Sequence, residues 1–314
     1  NILVNRYPGA GDKDVVVSIQ VEDWDESEPP IDVVIEDGQN VVVTLTDVSN
    51  GVVVDRADLY LSSENKVHEK LNIPVIDNKM EFMFPREKEG GTLQLNKAHF
   101  YTEAGDEFDY YFKDKELLGD DWDELSLVAP KVGDAWGDGV IFAVGKVTGY
   151  DENTSSFMTD ITGINAYRGR EVSSKSLGSI EWCSDKAKGA SSLIGVVNYN
   201  DGKSNLIALE SFIKKNDDKL DNYPAFKACQ DLGSGWYLPA LNEIKWILLH
   251  RDQLNVIIER EQGDLIEAIV HGSSTEEKKE GTSSKYYYAS MADGISNTGY
   301  SKVGSSEVRA VRAY

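Results

Sequence analysis

The chain offers few residues suited to nucleophilic or metal chemistry, and their spacing limits what each can do. Its two cysteines, Cys183 and Cys229, allow at most one disulfide. Such a bridge would close a loop of about 46 residues and add roughly 4 kcal/mol by constraining the unfolded chain. The alternative is two separately buried thiols, the common state of a free cysteine. Neither lies in a Cys-x-x-Cys pair or beside a histidine cluster, which argues against redox and metal roles. The four histidines, His68, His99, His250 and His271, are scattered, and His250 follows an apolar helical run where a cap is expected. No Gly-x-Ser-x-Gly elbow, His-Glu-x-x-His helix, P-loop or Gly-x-Gly-x-x-Gly turn is spelled out. The expectation is a protein without catalytic residues, metal ligands or a cofactor.

Two acidic runs, "EDWDESE" at 22–28 and "DDWDE" at 120–124, lack the ligand spacing of a calcium loop and read as solvated surface. The tyrosines are more suggestive. Tyr286, Tyr288 and Tyr300, with Asn297 and Tyr167, would give a binding surface, because tyrosine presents a broad amphipathic face at low entropy cost. The competing assignment within "KYYYAS" puts Tyr287 in the core and turns Tyr286 and Tyr288 the other way. Binding of a glycan or a surface protein is therefore expected over catalysis.

Charge narrows the partners. The 314 residues carry a net charge of −22, which repels nucleic acid and anionic lipid. Residues 1–130 hold 29 acidic and 11 basic side chains, and residues 131–314 hold 25 and 21. That step suggests a boundary near Pro130. No apolar run is long enough to span a membrane as a helix. A chain beginning at Asn1 is expected to be a trimmed form whose leader, and with it a possible lipid anchor, was removed.

The elements that must position these residues fall into two groups. In the first half, Val41, Val43 and Leu45 alternate with Val42, Thr44 and Thr46, "KMEFMF" puts Met80, Phe82 and Phe84 on one face, and "TLQL" does the same for Leu93 and Leu95. Period two predicts half-buried strands. Asp37-Gly38 and Asn50-Gly51 suit tight hairpins. The result would be an all-β sandwich of the immunoglobulin or transthyretin kind over residues 1–125, with 113–130 as a linker. The second half, 131–314, reads as α+β. Strands are expected at 140–147, 193–199, 285–290 and 307–314. Helices are expected over "SNLIALESFIKK", capped by Ser204 or Asn205, and over "NYPAFKACQDLG", capped by Asn222 and ended by Gly233. Two more follow over "PALNEIKWILL", opened by Pro239, and "DQLNVIIERE". Trp236 and Leu238, on the irregular stretch between two helices, are expected in the core.

In order, "GVIFAV", "SIEWC" (179–183), "DGKSN" (201–205), "YPAFKAC" (223–229), "GWYLPALNEI" (235–244), "YYAS" (287–290) and "VRAVRAY" (308–314) resemble the Legionella collagen-like C-terminal domain family, a branch of the C-type-lectin-like fold. The resemblance covers residues 131–314. It implies a lectin-like head, commonly joined to a fimbrillin-like, pilin-like β-sandwich in cell-surface proteins. Tyr288 stands where the family carries tryptophan, and the stretch from Met291 to Glu307 is short. The resemblance makes Trp182, Trp236, Leu238 and Glu243 scaffold, with Arg309 and Arg312 on the closing strand. Three residues apart, these arginines would face opposite sides of that strand. One of them is expected to be tied to Glu243 or to loop carbonyls. The implied function is a cell-surface or fimbrial adhesin in the outer-membrane setting. The alternatives are a structural pilus subunit that contacts other subunits, and, more remotely, an enzyme of the formylglycine-generating type.

Overall fold

A computed structural model of the chain describes residues 2–8, 15–21, 38–48, 51–63, 66–85, 93–117, 123–277, 284–291 and 296–314. The chain divides into two compact units, Asn1–Asp37 and Gly38–Tyr314. In the first, β1 (Ile2–Pro8) pairs antiparallel with β2 (Val15–Val21). The acidic run 22–28 and the Asp37 side of the expected hairpin lie outside the described residues.

The second unit begins with seven strands: β3 (Gly38–Thr46), β4 (Val54–Ser63), β5 (Lys66–Ile76), β6 (Lys79–Pro85), β7 (Leu93–Thr102), β8 (Glu107–Leu117) and β9 (Asp123–Ser126). They pair in the order β8-β7-β4-β5-β6-β3-β9. The period-two apolar residues pack as their alternation dictates. Val41, Val43, Leu45, Met80, Phe82, Leu93 and Leu95 share one buried core with Leu59, Leu61, Phe100 and Phe108. β5 changes partner along its length, pairing with β4 over Lys66–Pro74 and with β6 over Val75–Ile76. Asn50 of the other expected hairpin also lies outside the described residues, and the strands on either side of it have different partners: β3 pairs with β6 and β9, whereas β4 pairs with β5 and β7. The stretch 113–130 is not a linker either. It holds the end of β8 and all of β9, which runs parallel to β3 with Leu45 opposite Leu125. Leu125 and Leu127 supply the apolar side chains that keep it in the core.

Beyond Pro130 the strands are β10 (Ala135–Trp136), β11 (Gly139–Val144), β12 (Lys146–Asp151), β13 (Ser156–Asp160), β14 (Gly169–Ser173) and β15 (Gly178–Glu181). Four helices follow among the described residues: α1 (Gly202–Asn216), α2 (Pro224–Gln230), α3 (Leu241–Leu249) and α4 (Arg251–Arg260), with the short β16 (Trp236–Tyr237) before α3. The chain ends in β17 (His271–Glu276), β18 (Lys285–Ser290), β19 (Ser296–Ser301), β20 (Ser305–Val308) and β21 (Val311–Ala313). Two five-stranded sheets result, ordered β10-β11-β14-β21-β16 and β15-β20-β17-β18-β19, with β12-β13 as a separate hairpin. The molecule is thus predominantly β with several sheets.

Three local expectations need correction. The segment 307–314 is not one strand: it breaks at Arg309-Ala310, so β20 belongs to one five-stranded sheet and β21 to the other. Arg309 and Arg312 therefore do not sit on opposite faces of a continuous strand. The segment 193–199 is irregular, because its amides donate to buried side chains instead of a ladder: Ile194, Gly195 and Val196 to Glu276, and Asn198 to Asn205. Helix caps also differ. Asp201, not Ser204 or Asn205, caps α1 by accepting from the Lys203 and Ser204 amides, worth about 1 kcal/mol. Tyr223, not Asn222, precedes α2, and Pro239 stops short of α3, whose cap is Ala240.

Candidate functional site

The closing strand is the centre of the second half. β21 lies between β14 and β16, with Arg312 directly opposite Glu171 on one side and Trp236 on the other. Arg312 Nε donates to Glu171 Oε1 at 2.7 Å. Its guanidinium lies 4.6 Å from the Trp236 ring centroid and 5.3 Å from that of Tyr111 on β8. Gly235, at φ +86°, takes a backbone that a side chain would strain, and a Cβ there would press on the Arg312 methylenes at 3.2 Å. Burial pushes the Glu171 carboxyl up to about 7, against the pull of Arg312. Glu171 Oε2 and Arg312 Nη2 have no hydrogen-bond partner among the described residues.

Arg309, at the break between the sheets, is buried and tied to loop carbonyls. It donates to Ser173 O at 2.9 Å, Asp264 O at 2.7 Å and Leu265 O at 3.2 Å. Neither terminal arginine meets Glu243. Its partner is Arg170 on β14, 2.7 Å away. The carboxylate, at N3 of α3, also accepts from the Ala240 amide at 2.7 Å, the Gly202 amide at 2.9 Å and the Tyr237 hydroxyl at 3.0 Å. One side chain thereby joins β14, the start of α1, β16 and the start of α3. Gly202 is required by this close approach, because a Cβ there would lie 2.2 Å from Leu238 O. Trp236 and Leu238 are both buried in the apolar cluster that also holds Trp182, Cys183 and Cys229.

The two cysteines are free and buried, so the candidate disulfide does not form. Burial raises the Cys183 thiol to about 12 and raises Cys229 further.

The tyrosines divide. Tyr167, expected on a binding surface, is fully buried: its ring stacks on Phe108 at 4.5 Å and its hydroxyl donates to Leu127 O at 2.7 Å. Tyr286 is fully buried as well, stacked on Trp182 at 5.6 Å with its hydroxyl donating to Ser306 Oγ. Within β18 it is therefore Tyr286, not Tyr287, that enters the deep core, while Tyr287 is half-buried against a different cluster and the Tyr199 ring. Tyr288 is half-buried, and Tyr300 on the edge strand β19 is 40 % exposed. Their rings meet edge to face at 5.8 Å. Asn297 pairs through its backbone with Ala289, and its side chain lies outside the described residues. Of the five candidate contact residues, the fold thus brings Tyr288 and Tyr300 together at a surface and seals Tyr167 and Tyr286 inside.

Of the second acidic run, residues 120–122 lie outside the described residues, while Asp123 is buried at the start of β9. Among the described residues, no group of three or more histidine, cysteine or acidic side chains is arranged to hold a metal ion. No described helix is long and apolar enough to cross a membrane. Sequence reasoning missed Arg170, Glu171, Glu276 and Lys302. The available signal was an Arg-Glu pair within the short strand "GREVS", where charge in an apolar context implies a buried partner. No family model matches this sequence, and no curated protein matches it.

Proposed function

We propose that the chain is a cell-surface binding protein of the adhesin kind, in which residues 131–314 form a C-type-lectin-like head that engages a glycan or a surface protein. The seven-stranded sheet that begins at Gly38 is read as the pilin-like β-module that carries it. The observation that carries this reading is the Tyr288–Tyr300 pair. Two aromatic rings in edge-to-face contact lie on β18 and the edge strand β19. Tyr286, two residues before Tyr288 and directly opposite Tyr300 on the same face, is buried and fixes the ribbon, so the two rings are held without a loop having to order on binding. Such rings stack on the apolar faces of sugars and grip protein surfaces equally well.

The buried charges support the same reading. Glu243, Arg170, Arg309 and Glu171 are engaged in joining strands and helix starts, as expected of a scaffold that fixes a surface. The acidic balance of the chain suits neutral or basic partners. The test is a glycan array run beside a panel of extracellular surface proteins. Tyr288→Ala combined with Tyr300→Ala should abolish binding while leaving the thermal midpoint within a few degrees. Undiminished binding by the double variant would remove this surface from the function.

A further inference from the structure

Among the described residues, three carboxylates are fully buried in ion pairs, and one pair differs from the other two in chemistry. Glu243 and Glu171 face guanidinium groups. Glu276 faces the amine of Lys302, Nζ to Oε2 2.8 Å, with both side chains at 0 % exposure. A neutral amine can be acylated, whereas a guanidinium, always protonated in proteins, is not a usable nucleophile. The surroundings of this pair are organised around the carboxyl group. Glu276 Oε1 accepts from three successive amides, Ile194 at 3.0 Å, Gly195 at 2.5 Å and Val196 at 3.2 Å. Three N–H groups converging on one carboxyl oxygen are what stabilises charge developing on that oxygen. The amine is oriented by Gly189 O at 3.1 Å and Ser192 O at 2.9 Å, and sits 5.2 Å from the centroid of the Trp182 ring.

We propose that Lys302 and Glu276 are the site of an intramolecular isopeptide cross-link, formed by condensation of the lysine amine with the glutamate carboxyl group. The reaction balances within the pair. The ammonium first passes a proton to Oε2, leaving a neutral amine and a carboxylic acid. The nitrogen lone pair forms a bond to Cδ, and the negative charge this places on Oε1 is held by the 194–196 amides. The bond from Cδ to Oε2 then breaks, and Oε2 departs as water with the second proton of the amine. The product amide keeps its carbonyl oxygen in the amide cradle and one N–H for a carbonyl of the 189–192 loop. No oxidant, cofactor or external acid is required.

Two properties of the site favour the forward direction. Burial lowers the Lys302 ammonium below the ordinary lysine range, which favours the neutral, nucleophilic amine. A site closed to solvent also keeps out the water that would reverse the condensation. The link would tie the end of β17 to the turn between β19 and β20. It would thereby lock the β17–β20 part of the sheet under the Tyr288–Tyr300 surface, although the inference does not depend on the binding role proposed for that surface.

Intact-mass measurement of the denatured full chain tests the cross-link. The expected mass is lower than that of the unmodified sequence by one water, and trypsin should release a branched peptide joining the segments that contain Glu276 and Lys302. Lys302→Arg keeps the positive charge but cannot condense, so its mass should equal that of the unmodified sequence. A wild-type mass without the loss, with trypsin cutting after Lys302, overturns the proposal. A water loss that persists in Lys302→Arg overturns it too, since cyclisation at an Asp-Gly step such as Asp138-Gly139 would then be its source. Both readouts come from denatured protein and remain informative if the variant folds poorly.

Discussion

Arg170 and Glu243 face each other at 2.7 Å, one from the central strand of a five-stranded sheet and the other from the first turn of a helix. The carboxylate they share with two amides and a tyrosine hydroxyl is the point at which four separate segments become one scaffold. A charge buried this completely stabilises only while its partners remain.

Removing that carboxylate should therefore be costly. Glu243→Ala leaves Arg170 without its compensating charge and three donors without an acceptor, a loss of about 3–5 kcal/mol. For a chain of this size the thermal midpoint should fall on the order of 10 °C. Replacing both partners, Arg170→Met with Glu243→Leu, should cost less than Glu243→Ala alone, because no unpaired charge is left. Differential scanning calorimetry of the three proteins checks this, and an unchanged midpoint for Glu243→Ala would refute the role given to the residue.

Glu171 should make stability depend on pH. Its folded-state carboxyl is raised to about 7 by burial, above the 4.5 of the free side chain. The folded protein therefore holds the proton more tightly than the unfolded chain. The resulting stabilisation is present below about 4.5 and is lost as pH rises through 7, by up to about 3 kcal/mol. In Glu171→Gln this component of the slope disappears. Urea midpoints of the two proteins between pH 4 and 8 measure it, and parallel curves would show that Glu171 does not titrate in this window.

The thiols give a third test. Cys183 and Cys229 are free and buried, with their ionisation suppressed. A thiol reagent should leave both untouched in the native protein at neutral pH and should count two in denaturant without a reductant. A count of zero in denaturant would mean that the two are bridged after all.

How much of this was legible in the sequence depended on whether a strand has one packed face or two. Val41, Val43 and Leu45 share one face of β3, with Val42, Thr44 and Thr46 on the other, and their burial follows directly from period two. β18 packs on both sides, with Tyr286 in one cluster and Tyr287 against another, so alternation could not say which tyrosine would be sealed. The break at Arg309-Ala310 was hidden for a similar reason. Val308, Ala310 and Val311 read as parts of one strand, although two different sheets each claim part of the run. The helices were legible from their stripes, while their caps were not, since α1 begins where Asp201 can reach two amides.

The candidate site was half legible. Tyrosine content pointed to β18–β19. One of Arg309 and Arg312 was expected to meet Glu243 or loop carbonyls, and Arg309 meets carbonyls while neither meets Glu243. The partner of Glu243 was not readable, because Arg170 meets it only through the pairing of β14 with β21. Lys302 had no signal at all: a lysine in "SKVG" reads as a turn residue, and only the fold turns its amine inward.

The position of β21 sets an order of events in the making of this protein. The strand that fills the gap between β14 and β16 is made after both of the strands it joins. Until it emerges, two strands wait with open backbone groups and Glu171 lacks its cation, so the second half can close only once this late segment has been made, and not piece by piece as the chain appears.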